Sequence, residues 1–315
     1  MRLFTPTTLE ELLTLKAEHG TDALLIAGGT DLGVRLRRQL QRPAALISTG
    51  AVGDLEPLER VPSHYGYEAE HARTEPQRAT PGEGITFGMR TTHRDVERLG
   101  GAHARLRGLA ESCRTVGSVQ TRNVGTLVGN IANASPAADA VTTLSSLGAT
   151  VRLQGATGTR VMPVADFATG PGRTVIEPHE VVVDVEVPAA HGRCGAAFHK
   201  LGRRRAMEIS IVAAGACVEL DDEGAVVSVG LALGAVGPTV VTVREPADIL
   251  RGRSWGESDA QRALDEVADA ATRAARPRSD HRASATYRLE MTRVLTRQVV
   301  TQAWQRALQQ RNAHG

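Results

Sequence analysis

The spacing of apolar residues changes character along the chain. Leu9, Leu12, Leu13 and Lys16 fall at helical intervals behind Thr7 and Thr8, with Glu10 and Glu11 three residues on, which predicts a capped first helix ended by Gly20. The run Ala23-Leu24-Leu25-Ile26 predicts a short buried strand, the sequence AGGTD (27 to 31) turns it, and Leu32 to Leu40 resumes a helical period. Asp31 is expected as an N-cap rather than a catalytic acid. A strand from Ala44 to Ile47 follows Pro43, so helix and strand alternate as in a small parallel unit. Further on, Ile85 to Gly88 reads as a strand, Thr92 as the cap of a helix to about Leu99, and Ala104 to Ala110 as another helix. Val141, Leu144 and Leu147 predict a helix stopped by Gly148, with strands at Thr150 to Leu153 and Val181 to Val187. From residue 195 the pattern turns antiparallel. Two strand-like runs flank Arg203 to Arg205, Asp221 to Gly224 forms a hairpin turn into Ala225 to Leu233, and helical patterns run from Ser258 to about Ala275 and from Ser284 to about Leu308. The expected class is α+β, with a boundary near residue 190.

Two stretches stand outside these periods. Residues 61–84 mix Pro62, Pro76 and Pro81 with His, Glu, Arg and Gly and predict an exposed insertion, to which no chemistry is assigned. Residues 115–139, TVGSVQTRNVGTLVGNIANASPAAD, read as a long polar loop in which Val124, Leu127 and Ile131 must still pack. Glycines let a backbone approach a ligand, and hydroxyls and amides offer neutral hydrogen bonds to a group with its own charge, such as a pyrophosphate. The AGGTD turn offers Gly28 and Gly29 amides at a helix start, which suits an anion. It matches neither G-x-G-x-x-G nor G-x-x-x-x-G-K-S/T, and a Gly-Gly turn before a helix is more often just a turn. A third glycine- and proline-punctuated loop, FATGPGRTVIEP, spans 167–178 around Arg173.

The balance of residues narrows the chemistry. At 315 residues, 41% hydrophobic and 23% charged, the chain is expected to be globular with roughly two domains. A net charge of +2 gives no electrostatic case for nucleic acid. Lysine and arginine together number 37, yet only Lys16 and Lys200 are lysine, so these positions call for an explanation. Cys113, Cys194 and Cys217 lie far apart without C-x-x-C spacing and cannot make an iron–sulfur or zinc site, which needs about four converging ligands. No stretch approaches the roughly 18 apolar residues of a membrane span, and a reducing cytoplasmic location is expected. The ten histidines are scattered, with no H-x-H, H-E-x-x-H or G-x-S-x-G; His93 and His199 are expected to be structural or surface residues. Glycine-rich cradles without a nucleophile, base or metal site favour a protein that holds a reactive cofactor.

The motifs AGGTDL (27–32) and TVGSVQTRNVGTLVGNIANASPAAD together resemble the FAD-binding medium subunit of the molybdenum hydroxylases, the family of xanthine dehydrogenase and aerobic carbon monoxide dehydrogenase. The likeness continues through GPGRTVIEP (170–178), the run from Lys200 to Ser210 and SDHRASATYRLEMTRVL (279–295). It implies a two-lobed PCMH-type FAD-binding domain over 1–190, with lobes at about 1–55 and 56–190, followed by a smaller α+β domain with an antiparallel sheet and helices over 191–315. It implies further that Leu25, Ile26, Ala27, Gly28, Gly29, Thr30, Asp31 and Leu32 line the FAD pyrophosphate, and that Thr126, Leu127, Val128, Gly129 and Asn130 form a second cradle. By the same resemblance Val116 lies at the flavin, Asp139 on the ribityl or adenosine side and Val182 at a further contact, Lys200 approaches the ring, and Gly117 and Ser135 are further cofactor-binding residues. A cation there would stabilise an anionic reduced flavin. Val128 stands where the family repeats glycine, and a β-branched residue disfavours positive φ, so a weaker cradle is expected; Val116 offers no ring to stack on the flavin. The implied role is electron transfer, from 2Fe–2S clusters on a small subunit fed by a molybdopterin large subunit, through FAD to NAD+ or another acceptor. The alternatives are a scaffold subunit whose cofactor site has decayed and a stand-alone FAD-dependent oxidoreductase.

Overall fold

Thr8 opens the first helix as expected, its hydroxyl accepting from Glu11 N while Glu11 accepts from Thr7 N in return. The computed structural model describes residues 1–53, 84–100, 103–190, 192–204, 206–256 and 259–310; the expected insertion, Gly84 apart, and Arg205 lie outside the described residues. Strand β1 (Arg2–Phe4), helix α1 (Leu9–His19), β2 (Ala23–Ile26), α2 (Leu32–Arg37) and β3 (Ala45–Ser48) form the first lobe, a parallel sheet in the order β1-β3-β2. Strand β1 is missed by sequence periodicity because three residues are too few to show one. Helix α2 stops at Arg37 rather than Leu40, since Gln39 turns to φ 56°.

The second lobe begins with β4 (Ile85–Gly88) and α3 (His93–Leu99), where Thr92 and Asp95 make a reciprocal capping box. The helix expected from Ala104 is a 3-10 turn to Leu106 followed by α4 (Arg107–Arg114). Residues 115–139 are not a loop. Ser118 caps α5 (Val119–Val124) and Thr126 caps α6 (Leu127–Ala132), each hydroxyl accepting the backbone N–H three residues on. The serines and threonines that make the stretch look loop-like are therefore the helix starts. Helix α7 (Asp139–Ser146), β5 (Thr150–Gly155), β6 (Gly158–Pro163), α8 (Val164–Phe167), the ribbon β7 (Ala168–Gly170) with β8 (Arg173–Thr174), and β9 (Val181–Val187) complete the lobe around an antiparallel sheet ordered β4-β9-β5-β6.

The remaining strands, β10 (Arg193–Leu201), β11 (Val212–Leu220), β12 (Val226–Gly234) and β13 (Val241–Val243), form an antiparallel sheet in chain order. Helices α9 (Pro246–Leu250), α10 (Ala260–Ala274) and α11 (Ala285–Gln309) follow. All nine residues of β11 are buried because both faces of this sheet are covered. One face joins a core with α10 and α11 around Trp304, which packs edge-on to Trp255 with centroids 5.2 Å apart. The other carries Ala196, Cys217 and Ala232 into the core of the second lobe. Small residues are required there: a Cβ on Gly230 would stand 1.9 Å from the Ser146 carbonyl oxygen, so α7 rests on the strand backbone itself.

Candidate functional site

The turn after β2 and the start of α6 face each other across a cavity of about 420 Å³. The first lobe contributes residues 25–32, Arg35, Gln41 and Thr49 to its wall; the second contributes Met89, His93, Val116, Thr121, Thr126, Val128, Gly129, Asn130 and Asn133, together with Val181 and Val182 from β9. The two glycine-containing motifs, a hundred residues apart in sequence, thus form the two sides of one cleft.

Gly28 makes this approach possible. A Cβ there would lie 1.9 Å from the Val124 carbonyl oxygen, so the turn touches the end of α5 directly, and Gly29 then reverses the chain at φ 66°. Among the described residues the N–H groups of Gly29, Thr30 and Asp31 have no hydrogen-bond acceptor. Asp31 occupies the N-cap position of α2, as expected from sequence, though its side chain makes no capping bond. Across the cleft, Thr126 Oγ1 takes the Gly129 N–H at 3.0 Å and Thr91 O takes that of Leu127 at 2.9 Å, leaving the Val128 N–H without an acceptor among the described residues. Val128 lies in the first turn of α6 and is absent from the positive-φ positions. A glycine is not needed here for backbone conformation, and Val128 is 8% exposed with its side chain in the core and at the cavity wall.

Two amide oxygens on the wall, Gln41 Oε1 and Asn130 Oδ1, are buried without a partner among the described residues, a cost of roughly 1–3 kcal/mol each unless a ligand supplies a donor. Arg35 is held by Asn133 Oδ1 at 2.5 Å. Met89, Val116, Ile176, Val181 and Val182 give the cavity apolar surface. Unsatisfied amides and unsatisfied side-chain oxygens on one cavity that also has apolar surface fit a ligand that carries phosphates, hydroxyls and a flat ring, and FAD has all three.

His93, expected to be structural or superficial, is 3% exposed and reaches the cavity wall. Its Nδ1 lies 3.4 Å from Cys113 Sγ. Burial, helped by the positive charge of Arg122, pushes its pKa down to about 4, so the ring is neutral at ordinary pH. Burial also pushes the Cys113 thiol far up, and it stays protonated. Arg122 is tied to Glu97 at 3.1 Å and to Val116 O at 3.2 Å, which anchors α5 to α3 beneath the cavity.

Five of the expected contacts are not on the cavity wall. Gly117 makes the left-handed turn before α5, Leu127 is fully buried in the core, and Ser135 Oγ accepts from Ala137 N. Asp139 and Lys200 meet each other instead: Lys200 Nζ is 2.5 Å from Asp139 Oδ2 and 3.4 Å from Thr115 O. The same carboxylate accepts from Ser210 Oγ at 2.6 Å and Thr115 Oγ1 at 3.0 Å. The other lysine is also spent internally, Lys16 Nζ donating to Gly20 O and Ala23 O at the end of α1. Both lysines thus place a compact ammonium on internal oxygen acceptors. Sequence reasoning missed Arg35, Gln41, Thr49, Met89, His93 and Thr121. Arg35 follows Leu32 by one helical turn and could have been inferred; nothing near Gln41 or Met89 announces a site.

Among the described residues there is no group of three or more His, Cys, Asp or Glu that could hold a metal, and no helix long and apolar enough to cross a membrane. Residues 1–190 match the family described as FAD binding domain in molybdopterin dehydrogenase, and residues 196–303 match the CO dehydrogenase flavoprotein C-terminal domain. The chain is 30% identical over 302 residues to the carbon monoxide dehydrogenase medium chain of Hydrogenophaga pseudoflava, covering 96% of each. It is 30% identical over 253 residues to the nicotinate dehydrogenase FAD-subunit of Eubacterium barkeri, covering 79% of each. A solved carbon monoxide dehydrogenase from Hydrogenophaga pseudoflava superposes with a TM-score of 0.82 at 26% identity, covering 97% of this chain and 98% of that one. The quinoline 2-oxidoreductase of Pseudomonas putida 86 gives 0.79 at 27% identity, covering 98% of both.

Proposed function

Since the chain belongs to the FAD-binding flavoprotein subunits of the molybdenum hydroxylases, we propose that it holds FAD in the cleft between the two lobes and passes electrons from iron–sulfur clusters on a small partner subunit to a terminal acceptor such as NAD+. The molybdopterin subunit of the complex would oxidise the substrate, which never touches this chain. The observation that carries the reading is the convergence, on one cavity, of unsatisfied donors on the turn after β2, unsatisfied acceptors from both lobes (Gln41 and Asn130) and apolar surface.

In this reading the amides of Gly29, Thr30 and Asp31 bind the pyrophosphate, and that of Val128 meets it from the opposite side. Asn130 and Gln41 accept from hydroxyl or amine groups of the cofactor, and Arg35 is held ready by Asn133. Bound flavin supplies the two-electron to one-electron conversion between acceptor and clusters. Met89, Val116 and Val182 exclude water from the ring. Lys200 and Asp139 act from behind the wall, by fixing α7 and β10, rather than as direct contacts. The scaffold reading rested on Val128 as a backbone misfit, and an ordinary helical backbone at that residue removes its motive.

The test is the purified complex. Its denatured extract is expected to release FAD in a one-to-one ratio with this chain, and the native complex to bleach on addition of the substrate of the molybdopterin subunit. FAD absent at that stoichiometry overturns the reading; FAD present, with turnover by this chain alone and no partner in a pull-down, makes the chain a stand-alone oxidoreductase instead.

A further inference from the structure

We infer that His93 binds the cofactor as a neutral hydrogen-bond donor through Nε2–H, with Cys113 behind it fixing the ring's orientation and tautomer. The inference rests on the FAD reading of the cleft and adds a residue that neither glycine motif contains.

Four observations converge on it. The imidazole is at the first position of α3, whose capping box fixes where the helix begins, and its own N–H is bonded to Gly125 O at 3.0 Å, so the residue is locked to the hinge between α5 and α6. Its Nδ1 edge points inward, 3.4 Å from Cys113 Sγ. Its opposite edge points outward: Cδ2, the atom bonded to Nε2, is 3.5 Å from where a Cβ on Gly125 would sit, and Thr30 Oγ1 is equally distant from that same point. The ring lines the cavity, and among the described residues Nε2 makes no hydrogen bond. His93 thus stands where the turn after β2 and the start of α6 converge, beside the unsatisfied amides.

The chemistry follows from the pair. A protonated thiol next to Nδ1 donates its hydrogen there, and a neutral imidazole then carries its single proton on Nε2, the nitrogen open to the cleft. Arg122, held against Glu97 on the interior side, disfavours a second proton on the ring. A neutral donor can satisfy an acceptor of the cofactor, a phosphate oxygen or a ring carbonyl, without the cost of burying a further charge. Cys113 is a positioning residue here, acting only through the imidazole.

The experiment compares four forms of the full chain: native, His93→Gln, His93→Asn and Cys113→Val. Gln can present its N–H about where Nε2 stands, whereas Asn is one methylene short and reaches only the Nδ1 side. FAD affinity is read by fluorescence quenching on adding FAD to the stripped proteins, and folding by the thermal midpoint without cofactor. Native protein is expected to bind FAD; His93→Asn to weaken binding at least tenfold, His93→Gln to remain within about threefold, and Cys113→Val to fall between them with an unchanged folded signal. If native protein fails to take up FAD, the reading of the cleft is wrong. If native and His93→Asn bind equally well, the cleft reading stands and the role of His93 falls. Equal losses in His93→Asn and His93→Gln also overturn the donor role, since rescue by the longer amide is its signature.

Discussion

Val128 shows how a single residue can look like a defect from sequence and be an ordinary part of the structure. As a β-branched residue in a glycine-rich stretch it suggests a spoiled cradle; in the structure its backbone is helical and its side chain belongs to both the core and the cavity wall. Val128→Gly is therefore expected to cost about 1–2 kcal/mol, from helix propensity and lost apolar burial, and to bring no gain in FAD content. Urea midpoints and extracted FAD per chain measure both, and a rise in FAD content would revive the idea of a decayed site. His93 makes a second residue-level prediction through pH. Its ordinary pKa of 6.5 falls to about 4 on folding, chiefly through burial, so the unfolded chain binds the proton more tightly than the native one. The stability due to the neutral buried ring is fully present above pH 6.5 and declines as pH falls through the window to 4. The total is roughly 3 kcal/mol at most. The difference in unfolding free energy between the native and His93→Gln apo proteins should shrink by that order between pH 7 and 4; a constant difference would mean that the ring is solvated.

At the scale of elements, the short helices α5 and α6 carry the site, and six residues do not make a stable helix in isolation. Their caps and their packing on α3 and α7 must hold them, so the cap is where a small change has a large local effect. Thr126→Ala removes the acceptor of the Gly129 N–H and is expected to cost about 1 kcal/mol, with Thr126→Ser restoring it. Denaturation midpoints of the three proteins decide this, and a neutral alanine variant would mean that packing alone defines α6. The same helices mark the limit of what the sequence discloses. Elements with a capping box or a long period were legible: α1 from Thr8, α3 from Thr92, α11 from Ser284, and the parallel alternation of β2, α2 and β3. The identity of the ligand class was legible because the two glycine stretches are local. What was hidden were residues whose meaning comes from tertiary contact: Gln41 and Met89 on the wall, Cys113 behind His93, and an Asp139–Lys200 pair formed across 61 residues of chain. Residues 115–139 misled because Ser, Thr, Asn and Gly mean turn and helix cap alike, and only the capped backbone bond distinguishes the two.

At the scale of the whole molecule, the flavin-binding lobes and the C-terminal sheet share a seam that both cores need. Helix α7 lies with its backbone against β12, its Asp139 carboxylate is 5% exposed, and that carboxylate is satisfied by Lys200 and Ser210 from beyond residue 190. Arg105 pairs with Glu219, and Arg306 of α11 grips Glu111 of α4 while also donating to Ala196 O, so ion pairs cross the seam at several points. Removing one partner of a buried pair leaves an uncompensated charge, at about 3–5 kcal/mol, which exceeds what any surface pair in the molecule can return. This bears on the full chain and on one divided at residue 190. Lys200→Met in the full chain should lower stability by about that amount, and the loss should be relieved by the paired change Asp139→Asn, which removes the stranded charge. The fragment 1–190, which loses Lys200, Ser210 and the apolar cover of Ala196, Cys217 and Ala232 together, should show no cooperative melt and little FAD uptake. Calorimetry of the full chain is expected to give one transition rather than two. A fragment that melts cooperatively and holds FAD at native affinity would mean that the C-terminal sheet serves the partners of the complex and not the cofactor cleft.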